Sequence, residues 1–126
     1  MNSIEQEAKQ FMEERYGRME MNEYQKVAVT TAIYPAQHKI LYPALGLAGE
    51  AGEVANKVKK IVRDGYEKSP ADWREQIASE LGDVLWYCAA LASDLGLSLG
   101  KIATENANKL SSRKKRGTIG GSGDNR

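Results

Sequence analysis

The chain has 126 residues, room for one domain of ordinary size and too few for two. With 41% hydrophobic and 28% charged residues it belongs among globular rather than disordered sequences. Eighteen Lys and Arg against seventeen Asp and Glu leave a net charge of +1, which excludes a global pull toward nucleic acid or an anionic membrane. The balance is uneven. Residues 101–126 carry seven bases and two acids, whereas residues 1–100 carry eleven bases and fifteen acids. A single cysteine, Cys88, excludes an intrachain disulfide framework, and its apolar surroundings predict a buried thiol. The longest mostly apolar run, Val84–Ala92, has nine residues, far short of a membrane span. The N-terminus, MNSIEQEAKQ, has neither a basic n-region nor an apolar h-region. The expectation is one soluble, cytoplasmic domain over residues 1–126.

In chain order, residues 3–16 read as a polar helix with a thin apolar side (Ile4, Ala8, Phe11, Met12) that ends before Gly17. Residues 22–34 form a second helical block with Asn22 as its N-cap. A loop from Pro35 to Pro43 carries the only histidine, His38. Pro43 opens a longer helix to about Asp64, stopped by Gly65. Ser69-Pro70 restarts the pattern as N-cap and first helical residue, and that helix runs to about Leu95. A last helix begins at Ser98 or Leu99 and fades near Arg113. Residues 114–126 end in a Gly-rich stretch without periodicity, read as a flexible tail. No segment alternates like a strand, so the fold class is all-α, a bundle of about four to five helices.

The two long helices carry the informative pattern. At 100° per residue, Leu47, Val54, Val58 and Ile61 share a narrow arc, as do Trp73, Ile77, Val84, Cys88, Leu91 and Leu95 in the next helix. Burying these stripes against each other gives an antiparallel central pair. Beside the stripes sit two acid pairs at i, i+3: Glu50/Glu53 in GEAGEV and Glu80/Asp83 in SELGDV. Such pairs are usually a solvated face, and the chain has three more of them. These two share a phase: in each the first acid lies about 50° from the middle of the stripe, and a valine follows the second. Small residues flank both pairs. Three of the four acids lack a base at i+4; Glu53 has Lys57 there, which makes a simple helix ion pair a competing reading.

Helices packed through these stripes bring four carboxylates to the edge of the core, where unpaired anions cost on the order of several kcal/mol each or take up protons. A positive partner is required. All-oxygen ligands without imidazole or thiolate favour Mg²⁺, with Mn²⁺ as substitute, over zinc; the absence of Glu-x-x-His argues against a di-iron bundle. Lys57 and Lys60 continue the Glu50/Glu53 side, and Asn106, Lys109 and Arg113 follow at helical spacing in ENANKLSSRKKR. Bases beside a carboxylate–metal cluster are what a polyphosphate needs. There is no phosphate-binding glycine loop and no nucleophile–histidine–acid arrangement, which excludes P-loop chemistry and disfavours covalent catalysis.

GLAGEAGEVANKVKK followed by SELGDVLWYCAAL resembles the MazG-like branch of the all-α nucleoside triphosphate pyrophosphatases, whose mark is E-x2-E, a variable gap, then E-x2-D. The gap here, between Glu53 and Glu80, is 26 residues, and the resemblance covers about residues 22–113. It implies an Mg²⁺-dependent hydrolase that converts an NTP, or by preference a dNTP, to the monophosphate and pyrophosphate for nucleotide pool control. By the same resemblance Glu50, Glu53, Glu80 and Asp83 are the catalytic and metal-binding residues. Lys57, Lys60, Lys109 and Arg113 would contact phosphates, with Asn106 near the nucleotide. His38, twelve residues before Glu50, matches an imidazole near the base in dCTP-preferring relatives; Trp73 and Trp86 offer further stacking surfaces. The family assembles as dimers or dimers of dimers, and apolar residues on several sides of the long helices (Leu81, Leu85, Ala92) agree with a homo-oligomer, a tetramer rather than a dimer. The partners expected are thus the nucleotide and further copies of the chain, with no nucleic acid and no membrane. Two alternatives stand: a non-catalytic helical interaction protein, and a pyrophosphohydrolase acting on phosphoribosyl-ATP.

Overall fold

Helices supply the regular structure of the described residues, with no strand among them, as the missing alternation predicts. The computed structural model describes residues 2–17 and 19–126. Five helices follow in order: α1 Ser3–Tyr16, α2 Met21–Val29, α3 Leu41–Asp64, α4 Trp73–Asp94 and α5 Leu99–Lys115. Single 3-10 turns occupy Ala36–His38 and Tyr66–Lys68. None of the described helices is long and apolar enough to cross a membrane.

The starts and stops follow local chemistry, in places differing from expectation. A capping box opens α1: the Asn2 side chain accepts from Glu5 N at 2.8 Å while Glu5 accepts from Asn2 N at 3.0 Å. Ile4 is exposed, and the Phe11 and Met12 side chains expected on its apolar side lie outside the described residues. Helix α2 is shorter than the predicted 22–34. The hydroxyls of Thr30 and Thr31 donate to Val27 O and Ala28 O and so take over the terminal carbonyls. Asn22 does not cap α2, since Glu20 precedes the first turn; its side-chain oxygen accepts instead from Gly100 N at 2.8 Å, joining α2 to α5. Helix α3 begins two residues before Pro43, which fits the first turn because no amide hydrogen is needed there. The restart at Ser69-Pro70 also differs. The Ser69 hydroxyl donates to Gly65 O at 2.8 Å, and α4 proper starts at Trp73 after Asp72. Helix α5 begins at Leu99, within the predicted Ser98 or Leu99, and Ser98 caps it by accepting from Lys101 N at 3.0 Å.

Helices α3 and α4 form the central antiparallel pair, and α2 packs across α4 and against α5. The core centres on Ala28, Ala89 and Leu99, with Tyr24, Trp86 and Cys88 packed around them. Of the predicted stripes, Ile61 is buried, and Leu47, Val54, Trp73, Ile77, Val84, Cys88 and Leu91 are half-buried. Val58 and Leu95 remain 41% and 50% exposed. For Leu95 the reason is geometric: α5 diverges from α4 and leaves between them an apolar groove of about 560 Å³, with Leu85, Leu95, Ile102 and Leu110 on its walls. Beyond α5 the chain turns back, and Thr118 N donates to Arg113 O at 2.8 Å.

One buried polar side chain ties three helices together. Gln25 on α2 donates through Nε2 to Ser93 Oγ at 2.9 Å and Leu97 O at 3.0 Å, and its Oε1 accepts from Leu99 N at 2.8 Å. Its amide thus serves the exit of α4 and the start of α5 at once, and a buried amide so satisfied fixes one arrangement of the corner. Gln25→Leu keeps the volume and strips these partners. It should lower unfolding stability by about 1–3 kcal/mol in urea titrations, the cost of leaving buried polar groups unpaired.

Candidate functional site

The antiparallel α3–α4 seam sets Glu50 against Glu80 and Asp83, and one carboxylate oxygen of each lies within 4.8 Å of the other two. Glu50 and Glu80 are half-buried, and Asp83 opens to solvent. Partial loss of water first, then the approach of Glu80 and the charges of Asp83 and Glu53, pushes the Glu50 carboxyl above its ordinary value. The cluster therefore holds more negative charge than its surroundings neutralise. Among the described residues its one cationic contact is Lys57 Nζ, 3.7 Å from Glu80 Oε1. That contact also settles the competing reading of Lys57: it crosses from α3 to α4 rather than pairing with Glu53 on its own helix. Three converging carboxylates with only oxygen donors can hold a metal ion, and of a kind that prefers oxygen.

An open cleft of about 360 Å³ adjoins the cluster, lined by Glu50, Asp83, Thr31, Trp86 and Tyr87. Glycine makes this wall possible: a Cβ on Gly46 would stand 2.1 Å from Tyr87 Cε1, so the ring can lie against α3 only because position 46 has no side chain. Trp86 meets Tyr87 edge-on at 5.0 Å, and its indole N–H donates to Thr31 Oγ1 at 2.8 Å. Tyr42 stands 6.4 Å from Tyr87 and stacks on Tyr34 at 4.7 Å. Tyr34 in turn donates to Asp94 Oδ2 at 2.8 Å; burial and this bond push its phenol up to about 12. The same carboxylate oxygen accepts from Ile40 N at 2.9 Å, where the backbone has a φ of 68°, strained for a β-branched residue. Asp94 thus fixes both ends of the loop that carries His38.

The remaining predicted site residues divide. Glu53 lies one turn beyond Glu50, exposed and outside the trio, close enough to press on Glu50 through its charge. Lys60 lines a second groove further along the same seam, with Lys57, Asp64 and Trp73. His38 is exposed at the end of its 3-10 turn. Asn106 sits on the wall of the apolar α4–α5 groove. Lys109 and Arg113 both reach Asp124 Oδ1, each at 3.4 Å, and the 5% exposed Arg113 also donates to Asp124 O at 2.8 Å. Thr31, Tyr87 and Asp94 escaped the sequence reading. Tyr87 had a usable signal, one helical turn after Asp83 on the same face; Thr31 and Asp94 reach their positions through tertiary packing alone.

Comparison with known sequences accords with this geometry. The family described as the MazG nucleotide pyrophosphohydrolase domain matches residues 38–118, from the histidine loop through α5. The chain belongs to this family. It is also 48% identical over 114 residues to the Gene 37 protein of Mycobacterium phage L5, covering 86% of the present chain and all of that protein. No solved structure is matched. Within this MazG domain the motif acids Glu50, Glu80 and Asp83 are the ones that meet.

If repulsion within the trio is offset by a bound cation, Glu50→Gln should have two opposite effects. It should raise the thermal midpoint of chelator-treated protein, and it should shrink the rise that millimolar Mg²⁺ or Mn²⁺ gives the parent chain. Scanning calorimetry with and without metal checks both.

Proposed function

We propose that this MazG domain is an Mg²⁺-dependent nucleoside triphosphate pyrophosphohydrolase, with dNTPs favoured, serving nucleotide pool control in the cytoplasm. The observation that carries the reading is the carboxylate trio beside an aromatic cleft, on a seam that continues into lysines. Glu50, Glu80 and Asp83 would hold the ion, and Glu53, on the same face, would add a further carboxylate. Mn²⁺ suits the same oxygen donors. When bound, such an ion lowers the pKa of water and stabilises charge on phosphoryl oxygens. The chain's own part is positioning. Trp86 and Tyr87 offer ring faces and edges for the nucleoside, with His38 on the anchored loop as a further base contact. Lys57 and Lys60, on the groove further along the seam, would offset the charge that builds on a departing pyrophosphate. Asn106, Lys109 and Arg113 are substrate contacts by family likeness; the two cations would serve only after Asp124 yields them to a phosphate.

The test is a panel of NTPs, dNTPs and phosphoribosyl-ATP with Mg²⁺. Hydrolysis at the α-phosphorus releases monophosphate and intact pyrophosphate, and Asp83→Asn should reduce it by about 100-fold or more while the helical circular dichroism is kept. Release of diphosphate and orthophosphate, or a fully active Asp83→Asn, would defeat the reading. A non-catalytic interaction protein would turn over none of the panel.

We also propose a homo-oligomer, a tetramer rather than a dimer. The support is the apolar α4–α5 groove, where Leu85, Leu95, Ile102 and Leu110 gather with Leu95 at 50% and Leu110 at 46% exposure, a cluster of large apolar side chains that a second copy could cover. Light scattering should give a multiple of 13.9 kDa, and Ile102→Glu should shift the mass toward that of one chain.

A further inference from the structure

The basic groove at the far end of the α3–α4 seam has a volume of about 220 Å³ and lies among Lys57, Lys60, Lys68, Trp73 and Gln76. We propose that it is a polyphosphate subsite, in which Lys68, a residue outside the family motif, joins Lys60 to hold the β- and γ-phosphates. This rests on the nucleotide reading above and gives the substrate a direction: nucleoside toward Trp86 and Tyr87, phosphates toward the turn after α3.

Three observations carry it. The first is continuity. Lys57 lines the groove and also touches Glu80, a member of the carboxylate trio, so the metal centre and the groove share a wall. Gln76 lies one turn before Glu80 on α4, on the same side. Glu50 and Lys60 are about 15 Å apart along the helix axis, but side chains lean toward their own helix's N-terminus, which on the antiparallel α4 carries Glu80 and Asp83 toward the groove.

The second is that Lys68 is placed, not merely nearby. Gly65, with a φ of 86°, ends α3 in a conformation open to glycine, and its carbonyl accepts from Lys68 N at 3.2 Å and from the Ser69 hydroxyl at 2.8 Å. This wound turn brings the lysine back over the seam. Tyr66 packs on Trp73 at 5.3 Å and Arg74 lies 4.7 Å over the same ring, which stiffens the aromatic wall.

The third is charge. The groove has one acid, Asp64, and Arg63 already holds it through bonds of 2.7 and 2.9 Å. Lys60 acts on Asp64 through its charge, but among the described residues neither Lys60 nor Lys68 is held in an ion pair, which leaves both ammonium groups open to a ligand anion. On α5 the position is reversed, because Lys109 and Arg113 already share the carboxylate of Asp124.

Calorimetry with inorganic pyrophosphate, with and without Mg²⁺, tests the subsite apart from turnover. The variants are Lys68→Met, the double Lys60→Met/Lys68→Met, and Lys59→Met as an exposed α3 control outside the groove. The parent chain should bind pyrophosphate, the double variant roughly 10-fold or more weaker, Lys68→Met in between, and the control unchanged. In steady-state assays the double variant should raise KM for the triphosphate, and free-protein Mg²⁺ affinity should hold, since lysine is no ligand for that ion. Undiminished pyrophosphate binding in the double variant would overturn the subsite. If the parent hydrolyses no nucleotide yet binds pyrophosphate through Lys60 and Lys68, the proposed function fails and the subsite stands.

Discussion

Everything at this site depends on three like charges being held closer than they would choose. The α3–α4 seam gathers Glu50, Glu80 and Asp83 within 4.8 Å, and among the described residues Lys57 alone approaches them with opposite charge. The packing that imposes this is apolar and lies beneath the acids, so the same helical phase that buries Ile61 and half-buries Val54 and Val84 turns the carboxylates toward one another. Such repulsion works against the fold and in favour of a cation, which is the trade expected of a site built to bind one.

The wall beside the acids is rigid for reasons that lie away from them. Tyr87 rests on Gly46, Trp86 is fixed by Thr31, and the Tyr34–Tyr42 stack leads to Asp94 near the end of α4. Gln25 locks that end of α4 to α2 and α5. Alanines fill the space beneath, at Ala28, Ala89, Ala90 and Ala92, which lets the helices approach closely but buries little apolar area. Hydrogen bonds at the corners therefore have a large share in defining the bundle, and large aliphatic side chains remain at the surface.

Much of this was legible in the sequence. The helices, the antiparallel central pair and the meeting of Glu50 with Glu80 and Asp83 follow from periodicity and spacing, because residues within a few turns set each helix's apolar face and the short link after α3 folds the two faces together. What escaped was set by distant partners. Asn22 resembles an N-cap, yet it bonds Gly100; Ser69 resembles another, yet it closes the turn at Gly65. In both cases a polar side chain with two available backbone partners took the one that the sequence does not show. The exposure of Leu95 escaped for the same reason, since the divergence of α5 is fixed at the Gln25 corner and not within the helix.

Lys57 shows how one such partnership reorganises a site. With Glu53 four residues before it, helix spacing alone would give a surface ion pair worth little. Directed to Glu80 instead, at 33% and 19% side-chain exposure, the pair sits in a less screened setting and bridges the two helices beside the acidic cluster. A lysine there offsets part of the trio's charge without filling the space a cation needs. It also gives the seam a gradient, acidic at Glu50 and Asp83 and basic by Lys60. An anion as long as a polyphosphate, carrying its own divalent ion at one end, meets a complementary charge along its whole length only in one orientation.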